Sequence, residues 1–357
     1  MNTHDLDTPA LLLDLDLFES NIAKMAEFMS QGSASLRPHA KSNKCPIIAR
    51  RQIEAGAIGI CCQKLGEAEV MSANGIKDIL ITNQIVGPTK IARLVELAKQ
   101  IDVKPAVDSR TNVAALGEAA RGAGLELGVV IEVDVGMKRC GVAPGEATVD
   151  LARFIDRTPG VRLRGVMGYE GHCVIERDFE KRKAETYQAN GLLVDSKDAV
   201  EAAGIDVEIV SAAGTGTYMF AGRHPGITEV EAGSYVFMDT TYREVLTDFH
   251  VSLTVLATVI SRPGDDRFIL DCGSKTFAGD HGTPALLDLP PADHMGLSEE
   301  HSTWRYEQAA PDVQIGDKVR VIPGHCCSTV NLHDNYTVIQ GEKVVDIWPI
   351  LAARRTQ

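Results

Sequence analysis

The sequence predicts a closed parallel β/α barrel of TIM type over residues 20–245, joined to a β-rich domain made of residues 1–19 and 246–357. Between about residues 35 and 240, short β-type runs alternate with longer helical patterns, and eight such runs can be counted. The central runs are apolar for several residues in succession, as strands covered on both faces are, and do not alternate as half-exposed strands do. Past residue 246 the helical stretches stop, and β-branched runs follow one another across turn signals. An open doubly wound sheet would share the alternation; a count of eight favours closure.

The first strand candidate is SLRPHA, residues 35–40, and the helix-like IIARRQIEAG follows it. AIGICCQ, DILITN, VKPAVDS, LGVVIEVDV, RLRGVMGYE, DVEIVSAAG and TEVEAGSYV are the other seven. LGEAEVMSANG, TKIARLVELAKQ, RTNVAALGEAARGAG and TVDLARFIDRT read as helices between them. In the second domain, DFHVSLTVLATVISRPGDDRFILDCGSK and the segment from KVRVIPGHCC to WPILAAR are β-branched and broken by RPGDD and QGEK. PALLLDLDL, near the start, precedes the barrel pattern and offers this domain one more strand. Residues 280–312 form a Pro-rich, irregular excursion, and loops of that length are usually functional or disordered.

A net charge of −13 argues against a nucleic-acid surface, because phosphate binding needs a basic face. The N-terminal MNTHDLDTPALLLDLDLF has neither the basic flank nor the cleavage site of a signal peptide. No apolar run approaches the roughly 20 residues that cross a bilayer, so no membrane role and a cytoplasmic location are expected. Eight cysteines lie scattered without paired CxxC spacing, which reads as reduced thiols and no structural zinc site.

Chemistry in such a barrel gathers at the C-terminal ends of the strands. Lys41 falls just past the first, Gln63 past the second, Arg139 past the fifth, and Tyr169, Glu170 and His172 past the sixth. Gly214, Thr215 and Gly216 follow the seventh in SAAGTGTY, and Ser234 and Tyr235 follow the eighth in EAGSY. Glycines there let backbone N–H groups approach an anion, at the position where barrels often bind phosphate. A phosphate site facing a mouth lysine points to pyridoxal 5′-phosphate, whose aldehyde condenses with a lysine amine and whose ring withdraws electrons from bonds at the substrate α-carbon. Lys41 is the first candidate, with Arg37 and Lys44 helping to keep it neutral. Lys44 is the rival, sharing a face with Lys41 if the segment turns helical there.

RPHAKSNKCP, GICCQK, EVDVGMKRCGV, GTG, EAGSYVFMD, ILDCGSK and HCCSTVNLHD, in this order, resemble the D-threonine aldolase group of pyridoxal-phosphate enzymes, which shares the alanine racemase fold with D-serine dehydratase. The resemblance spans nearly the whole chain. It implies Lys41 as the anchoring lysine, with Arg139 and Tyr169 beside the cofactor ring and Gln63 as a further neighbour. It assigns phosphate contacts to the Gly214–Gly216 loop, Ser234 and Tyr235. It also implies a divalent metal (manganese, magnesium or zinc) bound by His325 and Cys327 in PGHCCSTVNLHD. Two side chains one residue apart on an extended segment point the same way. His333 and Asp334 are not nominated by the resemblance.

Two departures bear on the reaction. The aldolases usually carry aspartate where this chain has Cys327, and the dehydratases carry cysteine; a thiolate favours zinc, a carboxylate manganese or magnesium. The loop YEGHCVIE puts Glu170 where the aldolase pattern YHG has histidine, with His172 nearby as a candidate base. The expected activity is retro-aldol cleavage of a small D-β-hydroxy-α-amino acid, with dehydration to a keto acid as the alternative. A racemase and a non-catalytic carrier of the cofactor stand further off. A homodimer is implied.

Overall fold

The computed structural model describes residues 1–357 as two compact units. One comprises Met1–Lys24, Ser42–Cys45 and Ser234–Arg354, and the other comprises Met25–Lys41, Pro46–Gly233 and Arg355–Gln357. The chain therefore crosses between them at 24/25 and 233/234, where the sequence patterns change at 19/20 and 245/246. Ser42–Cys45, inside the basic segment that follows the first barrel strand, is counted with the β-rich unit.

Strand β1 (Ala10–Asp14) and helix α1 (Leu15–Ser30) open the chain. The barrel strands follow: β2 (Ser35–Leu36), β3 (Ile60–Cys62), β4 (Asp78–Gln84), β5 (Asp102–Val107), β6 (Leu127–Glu132), β7 (Val161–Gly168), β8 (Ile209–Ala212) and β9 (Glu229–Val230). They form one parallel sheet in the order β2-β9-β8-β7-β6-β5-β4-β3. Strand β2 is short because Pro38 has no N–H to give a ladder. Pairing resumes at an isolated parallel bridge between His39 and Cys61, where Ala40 N donates to Cys61 O at 2.7 Å and Cys61 N to Pro38 O at 2.9 Å. That bridge joins the two ends of the sheet, so the closed reading holds over the open one.

Helices cross over between these strands as right-handed β/α connections require. Ser109 caps the helix Arg110–Gly122 by accepting from Asn112 N, and Asp178 caps the 24-residue helix Phe179–Ala202 by accepting from Lys181 N. Inside the barrel, Cys61, Leu80, Ala106, Val130, Met167 and Ile209 form a buried cluster, one residue from each of six consecutive strands. Such a filled interior leaves only the ends of the barrel for chemistry.

The N-terminal end is closed by charge. Arg37 is 2% exposed, and its Nε and Nη2 donate to Glu229 at 2.8 and 2.9 Å while Nη1 donates to Asp78 at 2.6 Å. Lys104, 1% exposed, reaches Asp78 and Asp102 at 2.8 Å each. Asp78, Asp102 and Glu229 are the first residues of β4, β5 and β9.

The other unit is a mixed sheet of β10 (Leu253–Gly264), β11 (Arg267–Leu270), β12 (Ala285–Leu286), β13 (His294–Leu297), β14 (Ser302–Arg305), β15 (Lys318–Ile322), β16 (Asn335–Gln340) and β17 (Lys343–Pro349), with β1 between β10 and β16. Leu12 of β1 packs on Leu256 and Ile339, so the PALLLDLDL run does supply a strand here. The excursion at 280–312 is not structureless: β12, β13 and β14 lie in it and pair with β15, β14 and β11. Strands of two to four residues between prolines carry too little periodicity to be read from sequence. All eight cysteines are free thiols. No helix is long and apolar enough to cross a membrane.

Candidate active site

Two groups of predicted residues assemble, one in each unit. In the barrel unit, Lys41 stands in the turn that follows the His39 bridge, and its Nζ lies 5.6 Å from the centre of the Tyr169 ring. The Arg139 guanidinium lies 5.8 Å from the same centre. Tyr169 directly follows β7 and is fitted between two glycines: a Cβ on Gly171 would meet its ring at 2.4 Å, and one on Gly214 at 3.2 Å. Gln63 has its Oε1 3.2 Å from His39 Nε2 and its amide donating to Thr82 O at 3.0 Å. His39 Nδ1 lies 3.3 Å from the Lys41 backbone nitrogen, so the ring fixes the turn that carries the lysine. His172 is exposed and packs over Gly136.

The glycine loop follows β8. Thr215 is 1% exposed, and its Oγ1 is buried without a hydrogen-bond partner. A buried hydroxyl left unpaired costs free energy, so this one fits an anion that it would serve. Gly216 is required by space, because a Cβ there would lie 1.7 Å from Val174 O. The residues present therefore fit a phosphate-bearing group. Ser234 and Tyr235 belong to the other unit: the Tyr235 ring packs 5.5 Å from Phe249, and Ser234 Oγ lies 3.2 Å from Cys327 Sγ.

Two expectations about the basic segment are corrected. Arg37 is spent in the ion-pair network at the opposite end of the barrel and is not a neighbour that keeps Lys41 neutral. Lys44 does not share a helical face with Lys41: residues 40–43 form a turn, Lys44 has φ +50°, and the helix starts only at Pro46.

In the β-rich unit, His325 is extended, at φ −141°, and directly precedes the short helix Cys326–Val330. Cys327 is therefore helical and not on a continuous extended segment; an extended residue leading into a helical turn brings the pair together instead. The Cys327 sulfur lies 3.2 Å from both Ser42 Oγ and Ser234 Oγ. Hydrogen bonding from Cys326 and then from the His325 imidazole holds its thiol well below the ordinary range, favouring thiolate. Burial would lower the His325 pKa, but Cys327 and Asp280 outweigh it and push it up to about 9.

Asp280 was not foreseen. Its Oδ2 accepts from His325 Nδ1 at 2.8 Å and from Ser328 Oγ at 2.6 Å. The His281 ring lies 5.1 Å from the His325 ring, and ligand atoms of Asp280, His281 and His325 all fall within 4.8 Å of one another. An imidazole oriented by a carboxylate beside a thiolate fits a divalent ion of zinc type. His333 bonds Thr276 O at 2.7 Å and Asp334 pairs with Arg354, so both serve the local fold.

The sequence matches the model of the alanine racemase N-terminal domain over residues 13–241 and that of a putative serine dehydratase domain over 252–339. It is 39% identical to a D-threonine aldolase from Arthrobacter sp. over 97% of this chain and 93% of that protein. It is 35% identical to a 3-hydroxy-D-aspartate aldolase from Paracoccus denitrificans over 99% and 93%. Among solved structures, D-threonine aldolase from Filomicrobium marinum superposes with a TM-score of 0.95 at 37% identity, over 98% of this chain and 96% of that one. D-threo-3-hydroxyaspartate dehydratase from Delftia sp. HT23 does so with a TM-score of 0.89 at 29% identity, over 98% and 99%. A cysteine-to-alanine mutant of D-threo-3-hydroxyaspartate dehydratase is described in a metal-free form. With both domain models matched in order, and a 39% identical relative covered almost end to end, the chain belongs to the family of alanine racemase-fold, pyridoxal-phosphate-dependent lyases that includes D-threonine aldolase and D-threo-3-hydroxyaspartate dehydratase.

Proposed function

We propose that this protein cleaves small D-β-hydroxy-α-amino acids of the D-threonine type to glycine and an aldehyde, with pyridoxal 5′-phosphate and a divalent metal, as a cytoplasmic homodimer. The observation that carries the reading is the grouping of Lys41, Tyr169 and Arg139 at the mouth of the barrel, above a loop whose Thr215 hydroxyl is buried and unpaired. Bound there, the cofactor would supply an electron sink for the bond broken at the substrate α-carbon. Lys41 Nζ would anchor it. Beside the substrate α-carbon, Nζ would also return a proton there to form glycine. Tyr169 would stack against the ring, Arg139 and Gln63 would flank it, and the Gly214–Gly216 loop, through the Thr215 hydroxyl and the Gly216 N–H, would hold the phosphate, assisted by Ser234 and Tyr235.

His325 and Cys327 would hold the metal, which would acidify the substrate β-hydroxyl. His172, exposed at the mouth, would take the hydroxyl proton. A thiolate ligand favours zinc over manganese or magnesium. Incubation with D-threonine is the test: glycine and acetaldehyde are expected, with none from L-threonine.

Cys327 favours a second reading, dehydration, because the dehydratases carry cysteine in this motif. The same residues would then act on a different bond: Lys41 Nζ would remove the α-proton, and a metal held by His325 and Cys327 would supply Lewis acidity for loss of the β-hydroxyl. Formation of 2-oxobutyrate and ammonia without acetaldehyde would decide for it.

A further inference from the structure

We propose that Glu170 is a positioning residue that clamps the Gly214–Gly216 loop in the shape that receives the cofactor phosphate, an inference that rests on the pyridoxal-phosphate reading. Glu170 directly follows Tyr169 and is fully buried. Its Oε2 accepts from Ala213 N at 3.2 Å, and its Oε1 pairs with Thr217 Oγ1 at 2.6 Å. These contacts bracket the loop, one residue before its first glycine and one after its last. Thr217 Oγ1 also accepts from Gly214 N at 3.1 Å, so a single hydroxyl ties the carboxyl to the loop backbone.

The clamp accounts for two oddities. Ala213 is left-handed at φ +77°, a conformation that a residue with a Cβ avoids unless its surroundings impose it. Its N–H is the one that Glu170 accepts. Second, the clamp engages Ala213 N, Gly214 N and Thr217 Oγ1, leaving Thr215 Oγ1 as the buried hydroxyl without a partner. The segment after Glu170 walls the same loop: Cys173 N donates to Glu170 O at 3.1 Å, and Val174 O occupies the space where a Gly216 side chain would be.

A carboxylate beneath a phosphate would repel it, whereas a protonated carboxyl would not. Burial pushes the Glu170 carboxyl up, against the hydrogen bonds from Thr217 and Ala213 that favour its ionised form. In the protonated form one oxygen still accepts from Ala213 while the O–H donates to Thr217, the pattern a glutamine would reproduce.

The test separates the phosphate from the rest of the cofactor. Metal-loaded apoprotein is titrated with pyridoxal 5′-phosphate and, separately, with unphosphorylated pyridoxal, followed by cofactor absorbance, for wild type, Glu170→Ala, Glu170→Gln and Thr217→Val. Glu170→Ala is expected to weaken pyridoxal phosphate at least tenfold and leave pyridoxal within twofold, Thr217→Val to do the same, and Glu170→Gln to keep the wild-type ratio. Equal weakening of both ligands, or of neither, overturns the clamp. Thr217→Val carries the comparison should Glu170→Ala not fold. Wild-type protein that binds pyridoxal phosphate no better than pyridoxal overturns the phosphate reading itself, and a wild type that prefers pyridoxal phosphate while the variants do not differ overturns the clamp alone.

Discussion

Asp280 and His325 are 45 residues apart in sequence, yet Asp280 Oδ2 and His325 Nδ1 meet at 2.8 Å. With Nδ1 committed to the carboxylate and to Ser328, Nε2 is the ring nitrogen left for a metal. Outer carboxylates of this kind fix the tautomer and raise the basicity of a histidine ligand, and losing one costs about 10–100-fold in metal affinity. Asp280→Asn is expected to weaken metal binding by that factor in a competition against a chromophoric chelator, with the far-UV spectrum unchanged. Unaltered affinity would mean that the carboxylate serves only the local fold.

Lys41→Ala is expected to lose activity by at least about 10³-fold, because an anchoring amine and a proton carrier go together. Borohydride reduction of the holoprotein followed by peptide mapping should place the pyridoxyl group on Lys41. A tag on Lys44 would sink the assignment.

Cys327→Asp exchanges a soft ligand for a hard one. Metal content after dialysis against equimolar zinc and manganese is expected to shift from zinc toward manganese, while Cys327→Ala should bind neither tightly. A Cys327→Asp protein that still selected zinc would remove the sulfur from the metal's choice.

At the other end of the barrel, Arg37→Ala leaves Glu229 buried without its partner and Asp78 with only Lys104. Breaking a buried ion pair in this way costs about 3–5 kcal/mol, and urea unfolding should show a loss of that order. A change under about 1 kcal/mol would mean that the network relaxes around the gap.

Glu231 gives a pH signature. It is 7% exposed, accepts from Ser211 Oγ at 2.8 Å, and burial, opposed by Ser211 and Lys41, pushes its carboxyl from near 4.5 to about 7. The folded state binds the proton more tightly than the unfolded one, so the contribution is full below about 4.5 and is lost as pH rises through about 7. Stability measured from pH 5 to pH 8 should therefore fall less steeply in Glu231→Gln than in wild type. Parallel curves would place the proton elsewhere.

Much of the fold was legible because its signals are local. The apolar runs of β4 to β8 declare strands covered on both faces, and glycines after β8 stand where a barrel needs backbone near an anion. What could not be read is what distance along the chain conceals. Nothing in DHG at 280–282 indicates that Asp280 meets His325, since the pairing depends on how an apparently irregular excursion folds back as short strands. The basic cluster at 37–44 looked like one feature and is three, because Pro38 breaks the strand and the turn at 40–43 sends Arg37, Lys41 and Lys44 to different neighbourhoods. Glu170 was visible only as a departure from a pattern; its two hydrogen bonds depend on a loop more than forty residues later.

The belt of Arg37, Asp78, Lys104 and Glu229 secures the barrel at the end away from Lys41. Durability and turnover are thus written at opposite poles of the same strands. A lineage can trade one amino-acid substrate for another by rewriting the loops at one pole, while the charges at the other go on keeping the cylinder shut.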